Sequence, residues 1–287
     1  MNKNKLIVGV ALGLIIYLGV RSISNNKYKV SKSEPVVNGE SDDNDISKIP
    51  MFFMAGDDSF MAKYNQVARD DDVIGFSENL LKRNPASYFR SMALVKKGKI
   101  YQNFASYKTA EENIGLLKGK IDGIMYDLEK WDKSNNEADE ISKMSQKMAK
   151  LAKDNGVDYV AHLGISLAIN NKKDPESIER MAQYANAYSP TAYPCLLKNS
   201  MDDCVNLMTQ MAQRAKKYNP RVKIVTALSL EQNIPLTKQV EFLRRCKDFT
   251  DSILIFYYSG IANSAAKFWQ IYQMIRGSWQ ARKLRLK

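Results

Sequence analysis

The sequence has few of the residues from which most metal and nucleotide sites are built. His162 is the only histidine among 287 residues, which excludes multi-histidine metal sites and makes a Ser-His-Asp triad hard to build without a nucleophile-elbow motif. Glycine-rich phosphate loops and paired Cys-x-x-Cys ligands are also absent. These absences exclude zinc modules and nucleotide-dependent enzymes.

Cysteine is scarce as well. The three cysteines, Cys195, Cys204 and Cys246, have no metal-like spacing. In an oxidising compartment Cys195 and Cys204 are the most plausible disulfide pair, which leaves Cys246 free. The alternative is three buried thiols.

The N-terminal segment differs in composition from the rest of the chain. Lys3 and Lys5 precede an uncharged apolar run, Leu6–Val20, and Arg21 closes it. This pattern is typical of a signal peptide, or of a membrane anchor if it is not cleaved, and we assign it to residues 1–24. The positive charge before the run keeps the N-terminus inside, so we expect an extracytoplasmic protein that is secreted or membrane-anchored.

The next segment, residues 25–48, contains few large apolar side chains and a block of acids. Such a composition buries too little surface to offset the entropy of ordering, so it predicts a flexible linker. The remaining residues, 49–287, have an ordinary globular composition and a length suited to one large domain.

The formal net charge of the chain is +12, with a basic cluster at its C-terminal end. Nucleic acid is not the expected partner, because no aromatic-interleaved recognition motif accompanies these charges and the protein is expected to be exported. A solvated basic face, resting on an anionic envelope, fits the charge better. The cluster comprises Arg276, Arg282, Lys283, Arg285 and Lys287.

Short apolar runs alternate with longer stretches of helical periodicity. This alternation predicts repeated βα units around a parallel sheet, and eight such runs predict a single α/β domain, a (β/α)8 TIM barrel. Between them, Asn135–Asp154 and Asp202–Lys217 carry apolar stripes of helical spacing, which we interpret as core packing. The predicted strands are Met51–Ala55, Val73–Ser77, Ile100–Phe104, Asp122–Glu129, Asp158–Leu163, Gln183–Tyr188, Val222–Leu228 and Ser252–Tyr258.

Closed barrels place their chemistry at the C-terminal ends of the strands. Carboxylates, amides and tyrosines dominate those ends here, an inventory that suits a sugar better than a phosphate or a metal. Asp57 and Asp58 after the first strand are interpreted as helix caps rather than cation ligands. The candidate substrate-binding residues are Glu78, Asn103, Trp131, Gln232, Tyr257 and Tyr258.

The fourth predicted strand contains the most informative motif. Because strand side chains alternate, Met125, Asp127 and Glu129 share one face, expected to be the barrel lumen. Two carboxylates this close disfavour double ionisation, which raises one pKa and keeps a proton available on Glu129.

This segment resembles the fourth strand of family 18 glycoside hydrolases, the chitinases and endo-β-N-acetylglucosaminidases. The family pattern, Asp-Gly-x-Asp-x-Asp-x-Glu, is matched by Asp122, Gly123, Asp127 and Glu129, while Met125 stands where the family has its first inner aspartate. The predicted strand count also places the motif on the same strand as in the family.

The resemblance implies hydrolysis of a glycan that contains N-acetylhexosamine. Glu129 would be the general acid, and Asp127 would orient the substrate's acetamido group in a substrate-assisted reaction. Tyr188 would support the acetamido oxygen, and the resemblance implies no metal and no organic cofactor. Ser189 stands where the family usually has an aspartate, and the third strand lacks the family's Ser-x-Gly-Gly.

Two other interpretations compete with catalysis. In the first, a non-catalytic barrel binds polysaccharide through Trp131, Tyr188, Tyr257 and Tyr258. In the second, the protein is a tethered structural component whose Asp127 and Glu129 are satisfied by nearby cations. Met125 favours these alternatives, because the family's aspartate at that position relays charge to the position of Asp127.

Overall fold

Eight parallel strands close into a barrel in the computed structural model, which describes residues 45–128, 137–163, 179–230, 233–256 and 264–277. Each strand pairs with the next along the chain, and β8 returns to pair with β1. The predicted (β/α)8 architecture is confirmed at this level. The strands are β1 Met51–Met54, β2 Val73–Ser77, β3 Lys99–Phe104, β4 Gly123–Leu128, β5 Asp158–Leu163, β6 Ala187–Pro190, β7 Lys223–Ser229 and β8 Ser252–Phe256.

Helices follow the strands and cover the outside of the barrel. Polar side chains cap several of them: Asp57, Ser77 and Ser106 each accept a backbone N–H in the first turn of the helix that follows. The α-helices in the described residues are α1 Asp58–Val67, α2 Glu78–Arg83, α3 Pro85–Ala93, α4 Tyr107–Leu117, α5 Ile141–Asp154, α6 Met201–Tyr218, α7 Leu236–Cys246 and α8 Ser264–Arg276.

The sixth strand begins later than the sequence pattern predicted. Residues Glu179–Tyr184 form a 3-10 helix whose Met181 and Ala182 are buried. A short apolar stretch of this kind does not reveal whether it is helical or extended. Tyr188 is consequently the second residue of β6 and not its end. Further 3-10 turns are Ile46–Lys48, Glu137–Glu140, Tyr193–Leu197 and Lys247–Phe249.

Large side chains and glycines together fill the part of the lumen near the N-terminal ends of the strands. The rings of Phe52 and Tyr101, on the non-adjacent strands β1 and β3, meet edge to face with centroids 5.5 Å apart. Gly75 and Gly123 leave room for them, since a Cβ at Gly123 would lie 2.5 Å from the Tyr101 ring. This half of the lumen is therefore a packed core, and any site lies toward the C-terminal ends of the strands.

At the N-terminal ends of the strands, a buried ion pair joins the last described helix to the first segments of the domain. The Arg276 guanidinium at the end of α8 donates to Asp72 Oδ1 at 2.8 Å and also to the Ser47 carbonyl. Asp72 additionally accepts the N–H of Met51 at 2.7 Å, so the start of β1 is bound to the same carboxylate. Ile46 is also buried, and it belongs to the 3-10 turn Ile46–Lys48 directly before β1.

The structure joins Cys195 and Cys204 in a disulfide, with their Cα atoms 5.6 Å apart, and leaves Cys246 as a buried thiol. Of the two cysteine arrangements considered, the three-thiol one is therefore wrong. None of the helices in the described ranges is long and apolar enough to cross a membrane. The predicted signal or anchor segment, residues 1–24, lies outside those ranges.

Candidate functional site

Asp127 is on β4 and faces the part of the lumen near the C-terminal ends of the strands. It lies in register with His162 on β5, which in turn lies in register with Ser189 on β6. The His162 ring contacts Phe256 on β8 with centroids 4.8 Å apart, and these strands are not neighbours, so the contact crosses the lumen. The alternation read from the sequence therefore assigned Asp127 to the correct face.

Burial dominates the electrostatics of Asp127. The residue is 7% exposed, and loss of water raises the pKa of its carboxyl from 3.8 to about 6. The Asn103 amide on β3 donates to Asp127 Oδ2 at 3.4 Å and lowers the pKa, while the charge of Glu78 raises it. Asp127 therefore titrates close to neutral pH.

His162 is a neutral neighbour and not an ion-pair partner of this carboxylate. Its Nε2 lies 3.8 Å from Asp127 Oδ1 and 3.4 Å from Thr191 Oγ1. Burial lowers the pKa of the His162 ring to about 3, so the ring carries no charge at neutral pH. The separation from Asp127 is also too long for a direct hydrogen bond.

Four neighbouring strands each place a buried polar atom without a hydrogen-bond partner among the described residues. Such atoms are uncommon in folded proteins, and a bound water or ligand is one way in which they are satisfied. They lie on β3, β4, β5 and β6, on side chains that face the lumen. The atoms are Asn103 Oδ1, Asp127 Oδ1, His162 Nδ1 and Ser189 Oγ.

A cleft of about 810 Å³ opens beside Asp127 at the C-terminal ends of β1 to β4. Glu78 and Asn103 line it together with Asp127, and Asp57, Asp58, Arg83 and Arg90 contribute to its walls. A cleft of this size is large enough for a small ligand or part of a polymer. Its location agrees with the face on which barrels of this class place their chemistry.

Two acids of the cleft have structural partners. Asp57 accepts the N–H of Phe60 at 2.9 Å and the Ser59 hydroxyl at 2.7 Å, which lowers its pKa and agrees with the expected role as a cap. Glu78 is 6% exposed; it accepts the Ala105 N–H and the Lys82 ammonium, each at 3.3 Å. No cluster of three metal-ligating side chains occurs within the described ranges.

Glu78, Asn103 and Asp127 are thus the predicted site residues that the structure brings together. It does not bring Tyr188 to them. Tyr188 is in register with Ala161, one position away from the row of His162 and Ser189, and therefore points to the opposite face of the sheet. There it is fully buried near Glu179 and Arg214, and burial raises the pKa of its hydroxyl.

Several predicted residues cannot be placed, because they lie outside the described residues. Glu129 directly follows the last residue of β4 in the sequence. The others are Trp131, Gln232, Tyr257 and Tyr258.

Sequence reasoning underestimated His162 and Ser189. His162 was considered only as a residue near the lumen, and Ser189 only as a departure from the family pattern. Both are in register with Asp127 once the strands are paired, and the sequence carries no local signal for that register.

No protein-family model matches the sequence, and no curated protein matches it. Among solved structures, the N-terminal domain of a proposed aldolase from Bacteroides vulgatus is similar, with a TM-score of 0.50, 10% identity, and coverage of 83% of this chain and 88% of that one. At this identity the likeness supports the fold alone.

Two sugar-related barrels are also similar, each with a TM-score below 0.5. One is a proposed α-L-fucosidase from Bacteroides thetaiotaomicron, with a TM-score of 0.49, 11% identity, and coverage of 86% of this chain and 99% of that one. The other is an active-site mutant of Rhizomucor miehei β-1,3-glucanosyltransferase in complex with laminaritriose, with a TM-score of 0.48, 10% identity, and coverage of 74% and 88%. We draw no functional argument from either.

Proposed function

We propose that the protein is a glycoside hydrolase that acts on a glycan containing N-acetylhexosamine, in the cleft beside Asp127. The proposal is carried by one observation: a lumen-facing carboxylate on β4, with a pKa of about 6 and an oxygen without a partner among the described residues, lines a polar cleft. That oxygen can accept the N–H of an acetamido group while Asn103 holds the other.

In this mechanism the proton comes from Glu129, which is two residues after Asp127 in the sequence. Glu129 protonates the glycosidic oxygen as the bond to the anomeric carbon breaks, and the substrate's own acetamido oxygen attacks that carbon. Asp127 orients the acetamido N–H and balances the positive charge that develops on it. Water then opens the cyclic intermediate and returns a proton to Glu129. Tyr188 has no part in this mechanism, because it points to the other face of the sheet.

The experiment is hydrolysis of N-acetylglucosamine oligomers, their fluorogenic derivatives and peptidoglycan by the full chain in detergent. Glu129→Gln and Asp127→Asn are each expected to lose about 10² to 10⁴ in rate, the usual contribution of positioned acid and base groups. Asp71→Asn is the matched control, because this exposed aspartate precedes β2 at the opposite end of the barrel. Its activity should equal that of the wild type.

A non-catalytic glycan-binding barrel is the second candidate, and Met125 favours it. Met125 is 1% exposed on the lumen face of β4, where the resembling family has an acid that relays charge to the position of Asp127. If the wild type binds oligomers but cleaves none, and Glu129→Gln binds equally well, this second function replaces the first. Absence of both turnover and binding would refute both candidates.

A further inference from the structure

Exposed basic side chains gather at the end of the barrel opposite the cleft. They lie at the N-terminal ends of the strands and the C-terminal ends of the helices: Lys99 and Lys223 begin β3 and β7, and Lys118 caps the end of α4. We call this surface the basic face. Its exposed cations include Lys48, Lys96, Lys97, Lys99, Lys118, Lys120, Lys153, Lys216, Lys217, Arg221 and Lys223.

The acids at the same end are fewer, and several are occupied by the fold. Asp122, directly before β4, accepts the backbone N–H of Ile100 in β3 at 2.8 Å. Asp251, directly before β8, accepts that of Ile224 in β7 at the same distance. The described aspartates at this end that are not fully buried are Asp45, Asp70, Asp71, Asp122, Asp154, Asp158, Asp248 and Asp251, of which Asp158 and Asp251 pair with Lys99 and Lys216. The balance of the face is therefore positive.

The chain both enters and leaves the barrel at the basic face. At the entry, the Ser47 carbonyl accepts hydrogen bonds from Arg69 and Arg276, directly before β1. At the exit, α8 ends with Arg276, and the sequence beyond it carries four further cations. The apolar run Leu6–Val20 lies upstream of the entry, with a mainly polar stretch between them.

These placements constrain how the domain meets a bilayer. If the apolar run Leu6–Val20 is the anchor, the folded domain is tethered to a bilayer through the residues that enter the barrel at the basic face. Charges on the domain act on the membrane where they come within about one Debye length of it, roughly 8 Å at physiological salt, so the face nearest the lipid determines the interaction. The opposite end of the barrel presents the cleft carboxylates Asp58, Glu78 and Asp127 together with Arg83 and Arg90, and Arg90 pairs with Asp58.

We propose that the basic face docks on an anionic lipid surface, with the mouth of the barrel directed away from it. The anionic headgroups attract the lysines of the basic face, and this orientation holds the cleft acids away from the negatively charged surface. This arrangement leaves the cleft open to a polymer in the surrounding space. It does not depend on the chemistry proposed for the cleft, because it concerns the opposite end of the barrel.

The test uses the full chain in lipid vesicles that contain a headgroup-attached quencher. A fluorophore is attached either at Leu116→Cys, which is 56% exposed in the last turn of α4, or at Asn79→Cys beside the cleft. Neither substitution changes the charge, and the native cysteines are oxidised or buried. In vesicles containing phosphatidylglycerol we expect strong quenching at position 116 and little at position 79.

Charge removal then tests the cause of docking. Replacing Lys97, Lys118, Lys153 and Lys217 by Gln should lower the ratio of docked to undocked protein by about a thousandfold and make the two labels equal. The matched control replaces Lys108, Lys143, Lys147 and Lys198 by Gln, four exposed lysines from the mouth side of the barrel, and should leave docking unchanged.

The proposal fails if both labels are quenched equally by the wild type, or if position 79 is quenched more than position 116. It also fails if neutral phosphatidylcholine vesicles give the same pattern, or if the pattern persists after the four basic-face lysines are removed. At a salt concentration near 1 M, where the Debye length is about 3 Å, the preference for position 116 should disappear.

Discussion

Replacing Asp127 by asparagine is expected to stabilise the protein while impairing the proposed hydrolysis. The folded environment raises the pKa of Asp127 from 3.8 to about 6, so the folded state binds this proton more tightly than the unfolded chain does. Between these pH values the unfolded chain has released the proton while the folded protein retains it. The free energy of unfolding therefore falls as pH rises through this window, and the full loss persists above it.

The magnitude follows from the two pKa values. A rise from 3.8 to about 6 corresponds to a cost of about 3 kcal/mol at pH 8, and to only about 0.5 kcal/mol at pH 4. An amide carries no charge at either pH, and its oxygen still accepts the hydrogen bond from Asn103. Asp127→Asn should thus raise the free energy of unfolding by up to about 3 kcal/mol at pH 8 and by much less at pH 4.

Urea unfolding followed by circular dichroism at both pH values measures this difference. Asp71→Asn provides the control, because an exposed aspartate at the other end of the barrel should change stability by less than about 0.5 kcal/mol. If Asp127→Asn is no more stable than the wild type at pH 8, or gains equally at both pH values, burial does not govern this carboxylate and the reasoning is refuted.

Three further predictions concern the framework of the barrel. Arg276→Gln should cost about 3–5 kcal/mol in urea unfolding, because it leaves Asp72 charged and fully buried; a loss below about 1 kcal/mol would contradict this. Gly123→Ala should cost about 1–3 kcal/mol through overlap with the Tyr101 ring, and Tyr101→Leu should reverse part of that cost in the same measurement. Reducing the Cys195–Cys204 disulfide should lower the free energy of unfolding by about 2–3 kcal/mol, as expected for a short closed loop, and the variant with serine at both positions should be insensitive to reductant.

The barrel could be predicted from sequence because its strands are short apolar runs separated by helical periodicity. Seven strands were predicted within one or two residues of their described bounds, and β6 was misplaced because a buried 3-10 turn precedes it. That error propagated to Tyr188, whose side chain faces the helices and not the lumen.

The candidate site was only partly accessible to sequence reasoning. The alternation of side chains along β4 was enough to assign Asp127 to the lumen. Glu78 and Asn103 could be selected because barrel sites lie at the C-terminal ends of the strands. The row that joins Asp127 to His162 and Ser189 depends on register between strands, which no local pattern encodes. The Asp72–Arg276 pair was equally hidden, since its members are 204 positions apart.

That separation has a consequence for how the barrel is completed. Arg276 belongs to the last described helix, yet its partners Ser47 and Asp72 flank the first strand. Contacts between such distant segments form only after the intervening chain is ordered. While the protein is being synthesised, β1 and its eventual neighbour β8 therefore both present unpaired edges. A chain that stopped before Ser264 would keep Asp72 without its guanidinium, so folding has to wait for the final helix.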